Sequence, residues 1–307
     1  MSPGVENWKN NLSRLKRRIK KLKPDTIIAR GPFATWLAIA CRDAGLVQRV
    51  VFDGRGAYEA EFREYNVAQS EVLNKEIRSV EETAVTKSNF RIAVSEELVK
   101  YWREAFLYQG NDHVVIPCTL RQSEGQKGDR QSTRKELGYT DHDIVIVYAG
   151  SFAGWQSFGL MDELGEKFLR QNANVKFLVL APDVSELKIA TTYAGQVQSK
   201  WVQAGEVARV LSACDYGWLV RENSVTNRVA SPVKFAEYLH AGLPVLISPQ
   251  LGDFSAFTQQ HDCGKIVGEE IPVLNILTQS SRDRIHALAA AHFLKKNYVP
   301  QYKSVTG

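Results

Sequence analysis

No apolar run in this chain of 307 residues approaches the roughly 18 residues that a membrane-spanning helix needs. The first residues hold no apolar core of the kind a secretory signal requires, so export is not expected. There are four cysteines, Cys41, Cys118, Cys214 and Cys263, and none stands in a CxxC pair. That excludes a disulfide framework and a thiolate zinc motif, and reads as reduced, packed thiols of a cytoplasmic protein. The six histidines form no HExxH, so no metal site is expected. A GxSxG elbow and a nucleophilic Cys/His pair are missing too, which leaves the common hydrolase signatures empty. No solenoid-length repeat is found. What is present is ordinary for a globular chain: 44% hydrophobic and 24% charged residues, with length enough for two domains.

Charge is unevenly placed. Residues 1–23 carry eight Lys/Arg against Glu6 alone, so this segment holds +7 of a whole-chain +5 and the remainder is −2. A general nucleic-acid binder should carry a basic face across its fold, so nucleic acid is not an expected partner. Within 8–23, Trp8, Leu12, Leu15, Ile19 and Leu22 step at helical spacing among the cations. Two readings stand: an amphipathic helix lying on an anionic membrane surface, or a surface helix whose stripe packs on the domain.

The runs that follow alternate between strand and helix. Thr26-Ile-Ile-Ala29 is a β run; Gly31-Pro32 opens a helix to Gly45; Arg49-Val-Val-Phe-Asp53 is the next strand. That is a βαβ unit with parallel strands. Asp53-Gly-Arg-Gly56 leaves the carboxyl end of a strand, where open α/β sheets bind ligands, so Asp53 and Arg55 are candidate site residues. The alternative is an ion pair that fixes the turn. Residues 59–87 read as one long helical stretch, Arg91–Val94 and His113–Pro117 as strands, and the polar, aperiodic 121–131 as the start of a linker.

In the second half, Ile144–Tyr148 reads as a fully buried strand, and Ala149-Gly-Ser-Phe-Ala-Gly-Trp155 as a small-residue loop able to approach a diphosphate. Tyr216–Val220 is a strand and 221–231 a polar loop. The segment Ser231 to Ser248, SPVKFAEYLHAGLPVLIS, is the most informative in the chain. Pro232 starts a helix, Gly242 ends it, and Pro244–Ser248 is a buried strand. Lys234 and Glu237 share one helix face near its N-terminus, which suits a phosphate beside a sugar hydroxyl. Arg228 precedes that helix start. Asp141-His-Asp143 has DxD spacing but reads as a turn.

Ser231–Ser248, with Val147–Ser151, Gly154–Gln156, Asp215–Leu219, His292-Phe293, Asn297-Tyr298 and Tyr302 in the same order, resembles the retaining glycosyltransferases of family 4. The resemblance runs from about residue 25 to 302. It implies an α/β fold of two Rossmann-like domains facing a cleft (GT-B), with a shortened N-terminal domain. The expected divisions are 1–120 for the acceptor side, 121–141 for the linker, 142–280 for the nucleotide-sugar side, and 281–307 as a helix crossing back. It implies a retaining, metal-independent hexosyltransferase of polysaccharide biosynthesis, with a nucleotide sugar as donor substrate, no other cofactor, and a glycan or lipid-linked acceptor. Donor binding falls to Gly150, Ser151, Phe152, Arg228, Lys234 and Glu237, and catalysis to Asp53, Arg55, Arg228 and Lys234. The enzyme would be cytoplasmic and peripheral to the membrane. Two departures stand out. The family's first glutamate, eight positions before Glu237, is Val229 here. The first domain lacks several of the family's elements, which fits a minimal acceptor half, a homo-oligomer or partner chain that completes it, or a fragment. A non-catalytic nucleotide-sugar-binding subunit and a nucleotide-sugar epimerase are the competing functions.

Overall fold

The computed structural model describes residues 5–67, 70–121, 129–150, 154–181, 184 and 187–306. They fall into two compact units. The first comprises 1–117, 224–231 and 298–307; the second comprises 118–223 and 232–297.

The first unit is built on a parallel sheet of β1 (Thr26–Arg30), β2 (Arg49–Asp53), β3 (Phe90–Ala93) and β4 (His113–Val115), in that spatial order. The pleat sends alternate residues of β2 to opposite faces. Val50 packs with Ala38 and Ile39, and Phe52 with Leu98 and Trp102, whereas Val51 meets Ile116 and Val305. Helices Pro32–Arg42 and Glu96–Phe106 therefore cover one face, and Val299–Thr306 the other. The expected helix over 59–87 is two, Tyr58–Tyr65 and Glu71–Lys87. Asn66 sits between them at φ 47°, and Ser70 caps the second by accepting from Leu73 N.

The N-terminal stripe is spent on packing. Trp8 is buried edge-on against Phe33 and Trp36, with ring centroids 4.9 and 5.1 Å away, and donates to Glu76 Oε2 at 2.9 Å. Ile19 is buried with Leu12 and Leu15 beside it, and only Leu22 of the stripe is largely exposed. Of the two readings of this stripe, packing on the domain is the one these contacts contain.

The second unit's parallel sheet has the order β10-β9-β8-β5-β6-β7, from β5 (Ile144–Ala149), β6 (Val175–Leu180), β7 (Val197–Ser199), β8 (Tyr216–Leu219), β9 (Val245–Ile247) and β10 (Gly264–Ile266). All six residues of β5 are buried, as expected of a central strand covered on both faces. The chain builds outward from β5 through β6 to β7, then returns to add β8 on β5's other side. The order reverses between β5 and β8. Helix Val233–His240 lies close on β8 because residue 217 is glycine; a Cβ there would stand 2.3 Å from the Tyr238 ring. That approach lets Tyr238 Oη accept from Ala149 N at 2.9 Å, tying the helix to the end of β5.

Three expectations about organisation change. The linker 121–141 contains a helix, Arg130–Glu136, inside the second unit, because Arg130 and Arg134 lie one turn apart and both reach buried Asp215. The polar loop 221–231 holds a short helix, Val225–Arg228, which groups with the first unit. Its first N–H groups, Val225 and Thr226, each donate to Glu64 at 2.9 Å. The terminal helix Gln279–His292 stays with the second unit, and only 298–307 returns to the first. Thr140–Asp143 is a turn, with Asp143 accepting from Thr140 N and Oγ1.

Candidate active site

In an open α/β sheet, ligands bind outside the carboxyl ends of the strands where the order reverses. In the second unit that point lies between β5 and β8. Gly150 follows β5, and the Lys234 side chain lies directly over it. A Cβ on Gly150 would be 2.5 Å from Lys234 Cε, 3.1 Å from its Nζ and 2.8 Å from Tyr148 Oη. Any other residue at 150 would displace the lysine. Lys234 sits in the first turn of helix Val233–His240, so its charge adds to the positive end of that helix. Burial holds its pKa below the ordinary lysine value, and nearby Arg221 lowers it further, while Glu237 opposes both.

Arg221 leaves the carboxyl end of β8 and is buried. Its backbone is fixed to the end of β9: Arg221 N donates to Ser248 Oγ at 2.5 Å, and Ser248 Oγ donates to Arg221 O at 2.7 Å. Glu222 N donates to Ser157 Oγ at 2.9 Å, which joins the same loop to the start of helix Phe158–Gln171. A cavity of about 330 Å³ opens beside them, lined by Arg221, Asn223, Ser248, Gln250, Gly268 and Leu160 among others. Sequence reasoning noted Arg221 only as part of a polar loop. The signal that could have singled it out is its place, immediately after the apolar run 216–220 that forms the strand adjoining the reversal.

Of the residues expected to bind the donor, Gly150 and Lys234 are brought together, with Glu237 one turn further along the helix. No ion pair joins Glu237 to Lys234 among the described residues. Glu237 borders a second, larger cavity in this unit. Ser151 and Phe152 lie outside the described residues. Arg228 groups with the first unit, as the exposed last residue of Val225–Arg228, and Lys234 with the second. The cation that accompanies Lys234 within its own unit is Arg221. Val229, eight positions before Glu237, is a core residue of the first unit. It packs with Val99 and Trp102, and its carbonyl accepts from Ser95 Oγ at 2.7 Å.

In the first unit, Asp53 ends β2 and is buried. It accepts from Arg30 Nε at 2.8 Å and, more loosely, from Arg55 Nη1 at 3.5 Å. Asp53 holds the Arg30 pKa above its ordinary value through that hydrogen bond and its charge. The ion-pair reading of this turn is what the geometry contains.

Solved structures share this architecture. Sucrose-phosphate synthase from Thermosynechococcus elongatus superposes with a TM-score of 0.73 at 13% identity, over 98% of this chain and 77% of that one. The fold is that of the GT-B glycosyltransferases. Anabaena Alr3699/HepE, solved in complex with UDP, gives a TM-score of 0.68 at 13% identity over 95% of this chain and 80% of its own. WaaG, a glycosyltransferase involved in lipopolysaccharide biosynthesis, gives 0.61 at 12% identity, over 97% and 95%. No family model and no curated protein matches the sequence. Among the described residues, no helix is long and apolar enough to cross a membrane.

Proposed function

We propose that this protein is a glycosyltransferase that moves a sugar from a nucleotide sugar to a glycan or lipid-linked acceptor, with retention and without a metal ion. The observation that carries the reading is the seat of Lys234 over Gly150, within electrostatic reach of Arg221, at the reversal of the second sheet. When the anomeric C–O bond to a diphosphate breaks, negative charge grows on the leaving group, and fixed cations stabilise it. Lys234 supplies a point charge there and Arg221 a planar fork. Glu237, one turn on from Lys234 and also on the wall of the larger cavity, is assigned to the ribose hydroxyls. We assign UDP as the nucleotide, because the similarly folded HepE is a UDP complex. Asp53, with Arg30 and Arg55, is assigned to the acceptor side, and Arg228 to an ancillary contact with the donor. The enzyme would work in the cytoplasm, its N-terminal cations meeting an anionic surface by charge rather than by insertion.

A second reading has its own observation. Val229 is buried, so the carboxylate that the family uses at this position has no counterpart there. A nucleotide-sugar-binding subunit without transferase activity would show that substitution. Calorimetry with UDP tests binding, and release of labelled glucose from UDP-glucose, with and without a glycan acceptor, separates the two. Tight UDP binding with no transfer or hydrolysis favours the subunit; no binding of any nucleotide overturns both.

A further inference from the structure

A cavity of about 630 Å³ lies in the second unit, bordered by residues just ahead of β5, β8 and β9. It is therefore at the amino ends of strands whose carboxyl ends form the candidate active site. Asp215, fully buried, sits behind it and holds three guanidiniums. Arg130 Nη2 and Arg282 Nη2 reach Oδ1 at 2.8 and 2.7 Å, and Arg134 Nη1 reaches Oδ2 at 3.1 Å. Val145 N also donates to Oδ2, at 2.9 Å. One carboxylate thus serves three guanidiniums, of which Arg134 and Arg282 are buried and Arg130 is partly exposed.

The arginines differ in how their other donors are used. Arg134 bonds the carbonyls of Ala213, Thr140 and Asp143, and Arg130 those of Ser212 and Cys214. Arg282, whose side chain is only 7% exposed, has no side-chain partner but Asp215 among the described residues. Arg130, Arg282 and His286 line the cavity, with Ala208, Leu211 and Ala241 as apolar wall. Asp129, Asp141, Glu237 and Asp283 also border it, yet none pairs with either arginine among the described residues. Burial, then repulsion from Arg130, pushes Arg282 down to about 10. An anion would relieve that cost.

We propose that this cavity binds a phosphate monoester, its phosphate on the spare donors of Arg282 with Arg130 and its body against Ala208, Leu211 and Ala241. A phosphate monoester carries about −1.5 to −2 at pH 7, so it draws on the guanidiniums more strongly than a singly charged carboxylate, and guanidinium forks grip it bidentately.

The test is calorimetric titration of the full chain with phenyl phosphate, with UDP present to occupy the carboxyl-end site. Binding that persists with UDP and is about tenfold or more tighter than that of benzoate is expected. Arg282→Met should weaken it about tenfold or more, and Ala208→Trp, which fills the space without altering charge, should do the same. Both variants should leave UDP affinity within about twofold. If Arg282→Met does not fold, Ala208→Trp decides. No heat at millimolar phenyl phosphate overturns the proposal. So does binding that UDP or Lys234→Ala removes while both cavity variants leave it intact. Equal affinity for benzoate overturns the phosphate assignment. If UDP does not bind, the active-site reading fails while this one is still measured.

Discussion

The two sheets treat their carboxyl ends differently. Both are parallel, and both present charge at that edge. In the first, strand order runs straight from β1 to β4, and the charge at the end of β2 is matched, with Asp53 held between Arg30 and Arg55. In the second, order reverses beside β5, and the edge concentrates cations: Lys234 over Gly150, with Arg221 near enough to depress it. Matched charge stabilises a turn. Like charges held near one another cost stability that an anionic ligand relieves, so function is to be sought in the second.

Lys234→Ala should break the contrast most sharply. UDP affinity should fall about 100-fold, since a charge-assisted contact is worth roughly 1.5–3 kcal/mol, while the melting temperature holds or rises. In the unaltered protein, binding should weaken as pH rises through the lysine's depressed pKa, beginning below the ordinary 10.5. Calorimetry against pH checks both. Glu237→Ala should cost about tenfold in UDP affinity with the fold intact, and unchanged affinity would remove its ribose role. Gly217→Ala brings a Cβ to 2.3 Å from Tyr238 and should cost about 1–3 kcal/mol by urea denaturation.

Smaller effects belong to the first unit. Glu81 is buried and accepts from Tyr58 N and Glu59 N, and burial pushes its carboxyl up to about 8. Being raised above the unfolded value near 4.5, it contributes stability that is full below that pH and lost as pH rises through about 8. Glu81→Gln should flatten that slope in melting temperatures across this range. Least of all, Arg55→Ala should cost about 1 kcal/mol or less and leave UDP affinity within about twofold. A large loss of UDP binding would instead mean that the first unit's matched charges serve the donor.

Much of this was legible from residues close in sequence. The strands came from short apolar runs, and the helix at 233 from its proline and its spacing. Lys234, Glu237 and Gly150 came from the segments around them. The misses share a cause. Arg130 and Arg134 looked like linker charge because their partner, Asp215, is about 80 positions away. The stripe from Trp8 left two readings standing because Phe33, Trp36 and Glu76 are remote in the chain. Gly217 read as part of a strand, with no hint that a tyrosine ring needed its space.

The sequence alone settled what repeats or punctuates locally: parallel α/β units, their order, and a lysine and a glutamate on one helix face. Periodicity and caps act over a few residues, so they can be read without coordinates. Only the tertiary structure decided which charges keep company. It put Arg228 in one unit and Lys234 in the other, set Arg221 within electrostatic reach of the lysine, buried Val229, and gathered three arginines on Asp215. Charges act through space, and the distances between them exist only once the sheets have formed.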